Sequence, residues 1–273
     1  MLPISHKAGI TYLDALFTAT TATCVTGLST IEIPTALTPF GQVVVLLLVQ
    51  IGGMGFMTIA SATFVLLGHK FSLRERLNMR EYLSETDMSG LRRLAVSVVK
   101  MTAIIEGAGV VLLTAAFAFE YSFGRALWYG IFHSVSAFCN AGLDIIPMGE
   151  SVTAYSGNAF ILVVLALLIV AGGLGFIVIG DVVKTRKWKK LRIDSKIVLF
   201  MSGVLLLFGT LVYMIFEYNN PATLGNMNFG NKLANAFFFS ASTRTAGFAS
   251  FSVADLSPVS RTVTIALMFI GAS

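Results

Sequence analysis

Charged residues, prolines and cysteines are scarce in this sequence of 273 residues. Asp, Glu, Lys and Arg make up 12% of it, and it has six prolines and two cysteines. So few charges are atypical of a soluble globular protein. The two cysteines give no disulfide framework, and no CxxC or HExxH pattern occurs. The three histidines have no patterned nucleophile beside them, so the sequence does not indicate an enzyme with a hydrolytic triad.

Apolar residues, by contrast, are abundant. They make up 56% of the chain, and the mean hydropathy is +0.82. A bilayer core of about 30 Å needs about 20 apolar residues in each spanning helix. Four runs reach that length and a fifth begins near the end of the sequence: 40–67, 94–119, 159–183, 197–216 and 259–270. The sequence therefore predicts an all-α polytopic membrane protein.

The net charge of +5 is distributed in a way that argues against nucleic-acid binding. Fourteen of the nineteen Lys and Arg residues fall in two connecting stretches, 70–100 and 184–196. By the positive-inside rule both stretches are cytoplasmic. The second stretch, with Trp188, fits two roles: a topology signal that contacts lipid headgroups, or a docking surface for a cytoplasmic partner.

Three short segments share a pattern that ends on a glycine. They are Phe17-Thr-Ala-Thr-Thr-Ala-Thr-Cys-Val-Thr-Gly27, Phe132-His-Ser-Val-Ser-Ala-Phe-Cys-Asn-Ala-Gly142 and Phe237-Phe-Phe-Ser-Ala-Ser-Thr-Arg-Thr-Ala-Gly247. The third residue before the glycine is Cys24, Cys139 or Arg244. The glycines lie 115 and 105 residues apart, which indicates a repeated unit of about 110 residues.

The repeats divide the chain into three parts. Residues 1–68 form a first repeat without its outer helix. Residues 69–184 form a cytoplasmic linker and a second repeat, and residues 185–273 form a basic cytoplasmic linker and a third repeat truncated in its inner helix. Within the second repeat, 127–138 is too short to span a bilayer but long enough to enter it as a half-helix. Such re-entrant backbone is tolerated where protein buries it or water reaches it.

A second glycine pattern recurs in the inner helices. It reads Gln50-Ile-Gly-Gly-Met-Gly-Phe56 and Val170-Ala-Gly-Gly-Leu-Gly-Phe176, and Ile270-Gly271 stands at the corresponding place in the third repeat. Two interpretations remain open: close helix packing by small residues, or a gating hinge in a helix that lines a pathway. The candidate gating or hinge residues are Gly52, Gly53, Gly172, Gly173 and Gly271.

A glycine that ends a short re-entrant helix suits cation coordination. Glycine permits left-handed backbone angles, so successive carbonyls can point the same way, and the carboxyl end of the helix carries a partial negative charge. Several such loops around one axis form a ring of oxygens that replaces the hydration shell of a monovalent cation. The candidate selectivity-filter residues are Val25, Thr26, Gly27, Asn140, Ala141, Gly142, Thr245, Ala246 and Gly247. The alternative is a secondary transporter of a polar solute with broken midplane helices, although these repeats run parallel rather than inverted.

The loop sequences resemble a known family. Thr23-Cys-Val-Thr-Gly-Leu-Ser29, Ala137-Phe-Cys-Asn-Ala-Gly-Leu-Asp144 and Ser242-Thr-Arg-Thr-Ala-Gly-Phe248 are similar to the first three filter loops of the Ktr/Trk/HKT potassium transporters, most of all the bacterial Ktr membrane subunit. The resemblance implies helix–pore-loop–helix repeats arranged pseudo-fourfold around a pore. It also implies a homodimer in the inner (plasma) membrane, a cytoplasmic nucleotide-binding regulatory ring, no bound cofactor, and K+ uptake that in the Ktr branch is often dependent on Na+.

The sequence departs from that family in having two and a half repeats where members have four. We therefore expect it to be a fragment of a transporter or a partial gene model. Cys24 and Cys139 are expected to support the filter as small packing residues rather than as redox switches. Arg244 is expected to turn away from the cation path and to brace its loop through carbonyls. Glu106 lies in the middle of a span, where a bare charge costs at least about 2.5–3.5 kcal/mol, so we expect either a buried hydrogen bond or an ion-linked role.

Overall fold

The computed structural model describes residues 3–7, 9–55, 88–146 and 151–271. Three predictions fall on the remaining residues: the end of the first apolar run, most of the first basic stretch, and the boundary between the first two repeats at 68. These predictions lie outside the described residues.

The described residues form helices joined by short loops and 3-10 turns, with no β-strand beyond one isolated bridge between His6 and Leu37. The all-α prediction is confirmed. The helices are α1 (Tyr12–Cys24), α2 (Ile33–Ala36), α3 (Pro39–Met54), α4 (Met88–Phe117), α5 (Phe123–Phe138), α6 (Ala159–Gly173), α7 (Phe176–Thr185), α8 (Ile193–Phe216), α9 (Phe229–Thr245) and α10 (Pro258–Ile270).

Side-chain caps fix where several helices begin. Thr11 and Asp14 form a reciprocal capping box at α1. Asn158 accepts from the backbone N–H of Ile161 at α6, and Asn228 accepts from that of Asn231 at α9. Each cap satisfies a backbone donor that the first turn of a helix leaves without an intrahelical partner.

Within the described ranges, two helices are long and apolar enough to cross a bilayer, Val96–Phe117 within α4 and Ile193–Phe216. Their outward faces carry exposed apolar side chains, among them Ile104, Leu207 and Leu211. In water such faces would be costly, whereas lipid accommodates them. The predicted single span 159–183 is wrong in one respect: it is two helices, α6 and α7, that meet at 98°.

The second and third repeats have the same three-helix construction. In each, a long outer helix packs on a shorter buried helix, and an inner helix packs on both: α4, α5 and α6, then α8, α9 and α10. In the first repeat α1 packs on α3. We call α1, α5 and α9 the pore helices.

The same small-residue contact joins the outer helix to the pore helix in both complete repeats. Ser134 Oγ donates to the Glu106 carbonyl at 2.7 Å, and Ser240 Oγ donates to the Leu206 carbonyl at 2.9 Å. Three residues after each carbonyl, Gly109 and Gly209 lie so close to these serines that an added methyl group would overlap the hydroxyl. The serine therefore satisfies its hydroxyl inside the bundle while glycine lets the two backbones approach.

Candidate cation-coordinating site

Each pore helix ends in a loop whose glycine has left-handed backbone angles. The φ angles are +74° at Gly27, +63° at Gly142 and +76° at Gly247. L-residues other than glycine rarely adopt this region, because the β-carbon clashes with the backbone. Val25 and Asn140 also have positive φ angles, of 55° and 58°, so the first two loops turn twice within three residues.

The three loops meet one another. A methyl group added to Gly27 would lie 2.9 Å from the carbonyl oxygen of Ala141 and 3.6 Å from that of Ala246. One added to Gly142 would overlap the Ala246 carbonyl. The carbonyls that precede the second and third glycines therefore lie within contact distance of the first two glycines, although the segments are more than 100 residues apart in sequence.

A hydroxyl near the end of each pore helix holds the loop in place. Thr21 Oγ1 accepts from the Leu28 N–H at 3.1 Å and also bonds to the Thr26 hydroxyl. In the other two loops the direction reverses. Ser136 Oγ donates to the Leu143 carbonyl at 2.6 Å, and Ser242 Oγ donates to the Phe248 carbonyl at 2.5 Å. Sequence analysis missed this role, although a hydroxyl five or six residues before each glycine is a signal that could have revealed it.

The third loop is one residue shorter than the other two. Ser136 lies six residues before Gly142, whereas Ser242 lies five before Gly247, and Ser134 and Ser240 repeat the same offset. Counting back from the glycine had paired Arg244 with Cys139. The contacts that α9 makes contradict this pairing. They place Arg244 at the position equivalent to Phe138, and Thr245 at the position equivalent to Cys139.

The glycines of the inner helices support this register, because they lie against backbone carbonyls of the pore helices. A methyl group on Gly52 would overlap the carbonyl oxygen of Thr23, and one on Gly172 would overlap that of Phe138. At Gly271 the nearest atom is the carbonyl oxygen of Arg244, at 3.8 Å. The inner helices thus back carbonyls at the ends of the pore helices, and at Gly52 and Gly172 the absence of a side chain makes room for them.

The first two inner helices extend past most of the predicted hinge residues. Gly52, Gly53 and Gly172 lie inside helices, and Gly173 is the last residue of α6. Helix α3 ends at Met54, just before Gly55, and Gly175 directly precedes α7; the φ angles of Gly55 and Gly175 are +77° and +79°. Gly271, with a φ of +69°, directly follows the end of α10.

Asn140 ties the second loop to its neighbours. With its amide nitrogen towards α6, the side chain donates to the Ile169 carbonyl and bonds to Thr245 Oγ1, while its oxygen accepts from the Gly173 N–H, each at 3.2 Å. Asparagine also tolerates left-handed angles better than most residues. Asn140 therefore connects the second loop both to its own inner helix and to the third pore helix.

The three residues expected to support the filter differ in their surroundings. Cys139 is buried against Gly53, but Cys24 is exposed, in contrast to the packing role expected of it. Arg244 is buried, and within the described part of the chain its Nε has no hydrogen-bond partner. The expected bonds from Arg244 to loop carbonyls are not found there. Its side chain instead lines a cavity of about 260 Å3 between α9, α10 and Thr26.

The loops offer backbone and hydroxyl oxygens rather than a cluster of charged ligands. Among the described residues no group of three or more His, Cys, Asp or Glu side chains could hold a metal ion. Neutral oxygen donors suit a monovalent cation that has to enter and leave. Eight of the nine candidate filter residues lie in the three loops that converge, and the ninth, Thr245, is the last residue of α9.

Comparisons with known proteins agree with this arrangement. The TrkH family, described as cation transport proteins, matches residues 1–273. The chain belongs to this family. The prediction of a Ktr/Trk-type protein is thereby confirmed, as is the prediction of a multi-pass protein of the inner membrane.

Individual relatives within the family are also similar. The potassium/sodium uptake protein NtpJ of Enterococcus hirae is 38% identical over 272 residues, which are 99% of this chain and 60% of NtpJ. The Ktr system potassium uptake protein B of Bacillus subtilis is 36% identical over 272 residues, which cover this chain fully and 61% of that protein. The chain thus spans about three fifths of the length of these curated relatives.

A solved structure has the same fold. The potassium transporter TrkH from Vibrio parahaemolyticus superposes with a TM-score of 0.64, at 19% identity, over 97% of this chain and 51% of the other. At this identity the likeness concerns the fold alone, and it agrees with the predicted class of all-helical membrane protein.

Proposed function

We propose that this chain forms the larger part of a potassium uptake pathway in which the carbonyl oxygens of the three converging loops bind K+ as it passes. The observation that carries the proposal is the meeting of Gly27, Gly142 and the Ala246 carbonyl at one place. The names of the relatives, potassium uptake and potassium/sodium uptake proteins, support the choice of ion.

Electrostatics at the loops favours a cation. The three pore helices end at the loops, and the carboxyl end of a helix carries about half a negative charge. Ser136 and Ser242 hold the carbonyls that follow the second and third loop glycines, and the inner-helix glycines back carbonyls at the ends of the pore helices. Loops that are fixed at both ends in this way need little rearrangement when an ion binds. The protein then acts by replacing hydration, without covalent chemistry and without an enzymatic step.

The resemblance to the Ktr branch supports two further parts of the proposal. The complete protein assembles as a homodimer and is regulated by a cytoplasmic nucleotide-binding ring. Transport depends on Na+ as well as K+, in keeping with the name of the Enterococcus relative. No observation favours the alternative of a polar-solute transporter, since the break between α6 and α7 lies beyond the loops rather than at them.

The test is ion flux through the full-length protein in liposomes. We expect K+ uptake that Rb+ competes for and that Na+ in the bath changes. Liposomes that accumulate neither K+ nor Rb+ under any Na+ condition, with folded protein present, would contradict the proposal.

A further inference from the structure

A polar contact crosses the boundary between the first and second repeats, near the middle of the apolar helix Val96–Phe117. Gln50 on α3 donates from Nε2 to both carboxylate oxygens of Glu106 on α4, at 3.0 and 3.2 Å. Both side chains are half-buried. A carboxyl group at this depth is costly unless it is paired, so its presence calls for a role.

The matching boundary between the second and third repeats is apolar. Glu106 and Leu206 each lie three residues before the glycine of the outer-helix contact, and each gives its carbonyl to a serine of the pore helix. Gln50 and Val170 each lie two residues before the glycine that backs a pore-helix carbonyl. Leu206 and Val170 pack against the same hydrophobic core. The fold therefore accepts apolar residues at both positions.

The polar pair, Gln50 and Glu106, contacts Cys139 at the start of the second loop. The Sγ atom of this cysteine lies 3.9 Å from Gln50 Oε1 and 3.9 Å from Glu106 Oε1. Gly53, on the same helix as Gln50, packs directly against it. The next residue is Asn140, whose side chain bonds to Thr245 of the third pore helix. A displacement of the pair is thus transmitted to two of the three loops.

The geometry does not make Glu106 an ion ligand. Its carboxylate faces the amide N–H of Gln50, which is a donor and would repel a cation. The other polar group that contacts it in the described part of the chain is the weakly donating thiol of Cys139. A hydrogen-bonded pair in a medium of low dielectric constant is strong and rigid once both partners are satisfied.

We propose that Glu106 and Gln50 are positioning residues that fix the second pore loop and thereby set the discrimination between K+ and Na+. This inference rests on the proposed function. Coordination by neutral oxygens discriminates between ions through the placement of those oxygens, so a contact that holds Cys139 bears directly on selectivity.

The sharpest test replaces the polar pair with the apolar residues that the chain has at the matching boundary between its second and third repeats. In the full-length protein, Glu106→Leu combined with Gln50→Val copies Leu206 and Val170. We expect this double variant to fold and to transport K+, with its K+ over Na+ preference lowered about tenfold, as expected for the loss of one charge-assisted hydrogen bond. Wild-type preference in the folded double variant would assign the pair a structural role only and overturn the proposal.

Two further variants separate positioning from packing. Glu106→Gln keeps the shape and a hydrogen bond to Gln50, and we expect it to retain the ion preference within about threefold. Leu206→Ala removes packing at the matching apolar position, and we expect it to lower the melting temperature without changing the preference. A change in preference in Leu206→Ala as large as that in the double variant would contradict the inference. Wild-type protein that moves no K+ would overturn the proposed function, and this inference with it.

Discussion

The second and third repeats share a scaffold and differ in their glycine loops. Both use a glycine and a serine to join the outer helix to the pore helix, at Gly109 with Ser134 and at Gly209 with Ser240. The loops differ: the second turns at Asn140, whereas the third is one residue shorter and stays helical through Thr245. Contacts made by small residues preserve the fold, which leaves the loop residues free to vary.

At the outer ends of the two repeats, corresponding positions also carry different residues. Phe117, eight residues after Gly109, packs its ring against Tyr129 and Tyr155, with centroids 6.1 and 5.3 Å apart. Glu217, eight residues after Gly209, takes the corresponding place. An aromatic cluster in one repeat is thus replaced by a buried carboxylate in the other.

That carboxylate accepts several hydrogen bonds. Its oxygens accept from the Ser257 N–H at 2.9 Å, from Asn220 Nδ2 at 2.7 Å and from Thr223 Oγ1 at 2.8 Å. Glu217 thereby joins the end of α8 to the loop that starts α10. A buried charge with this many donors is stabilised, whereas one that loses them is strongly destabilising.

The largest expected difference between the repeats concerns their loop glycines. Gly142→Ser would place a side chain onto the Ala246 carbonyl and would also strain a backbone with a φ of +63°. Gly247→Ser meets no heavy atom within 4 Å, so it adds only the backbone strain, about 1–2 kcal/mol. We expect Gly142→Ser to abolish the preference for K+ over Na+ in flux assays and Gly247→Ser to weaken it less. Gly124→Ser, in α5 with open space around it, is the matched control. Equal effects of Gly124→Ser and Gly142→Ser on the preference for K+ over Na+ would refute the convergence of the loops.

The shared scaffold predicts equal effects at its two glycines. Gly109→Ala and Gly209→Ala each push a methyl group into the serine hydroxyl, and we expect each to lower stability by about 1–3 kcal/mol. Gly107→Ala and Gly203→Ala, on the same two helices, have open space and should be neutral or stabilising, since alanine favours helix. Thermal unfolding in detergent measures all four. A large loss at only one scaffold glycine would show that the repeats are not equivalent there.

Glu217 gives the third repeat a titratable group at the position where the second repeat has Phe117. Burial alone would raise the pKa of its carboxyl, but hydrogen bonds from the Ser260 and Ser257 hydroxyls, the Ser257 amide and Asn220 lower it to about 2, from an ordinary 4.5. Because the pKa is lower in the folded protein, the stabilisation is present above about pH 5 and is lost as the pH falls towards 2.

The variant Glu217→Gln tests this dependence. We expect it to be less stable than wild type by about 2 kcal/mol at pH 7, with the difference shrinking on acidification. Phe117→Leu serves as the control from the second repeat, since its cost should not change with pH. A difference for Glu217→Gln that stays constant from pH 7 to pH 3 would contradict the assignment.

The smallest expected effect concerns the two cysteines, which the sequence pattern treats alike. Cys24 is exposed, and Cys139 is buried between α3, α4 and α5. A membrane-permeant maleimide should label Cys139→Ser protein rapidly at Cys24, and Cys24→Ser protein only after unfolding. Rapid labelling at Cys139 would contradict its place behind the second loop.

The parts of the fold that were predicted from sequence depend on local signals. Apolar length identified the outer helices, and the repeated glycines located the loops. Sequence left two roles open for Gly172 and Gly173, helix packing or a hinge, because adjacent glycines do not reveal which of them is needed to make room for a carbonyl. Gly172 makes that room, and the break lies further on, next to Gly175. Tertiary contacts decide that.

Two features of the site depend on contacts between distant segments, which spacing alone does not report. The register of α9 is set by where Ser240 and Ser242 find their partners, so counting back from Gly247 misplaced Arg244 by one position. The pairing of Gln50 with Glu106 joins helices from different repeats. The sequence did indicate that a carboxyl in the middle of a span needs a partner, but it did not identify that partner.

The most direct test of the account is to locate the ion. A structure of the full-length protein determined in Tl+, a heavy substitute for K+, should show density between the loops, in contact with the carbonyl oxygens of Ala141 and Ala246 and with the backbone next to Gly27. Density that is absent from this place while the protein transports Tl+, or that lies away from all three loops, would contradict the account.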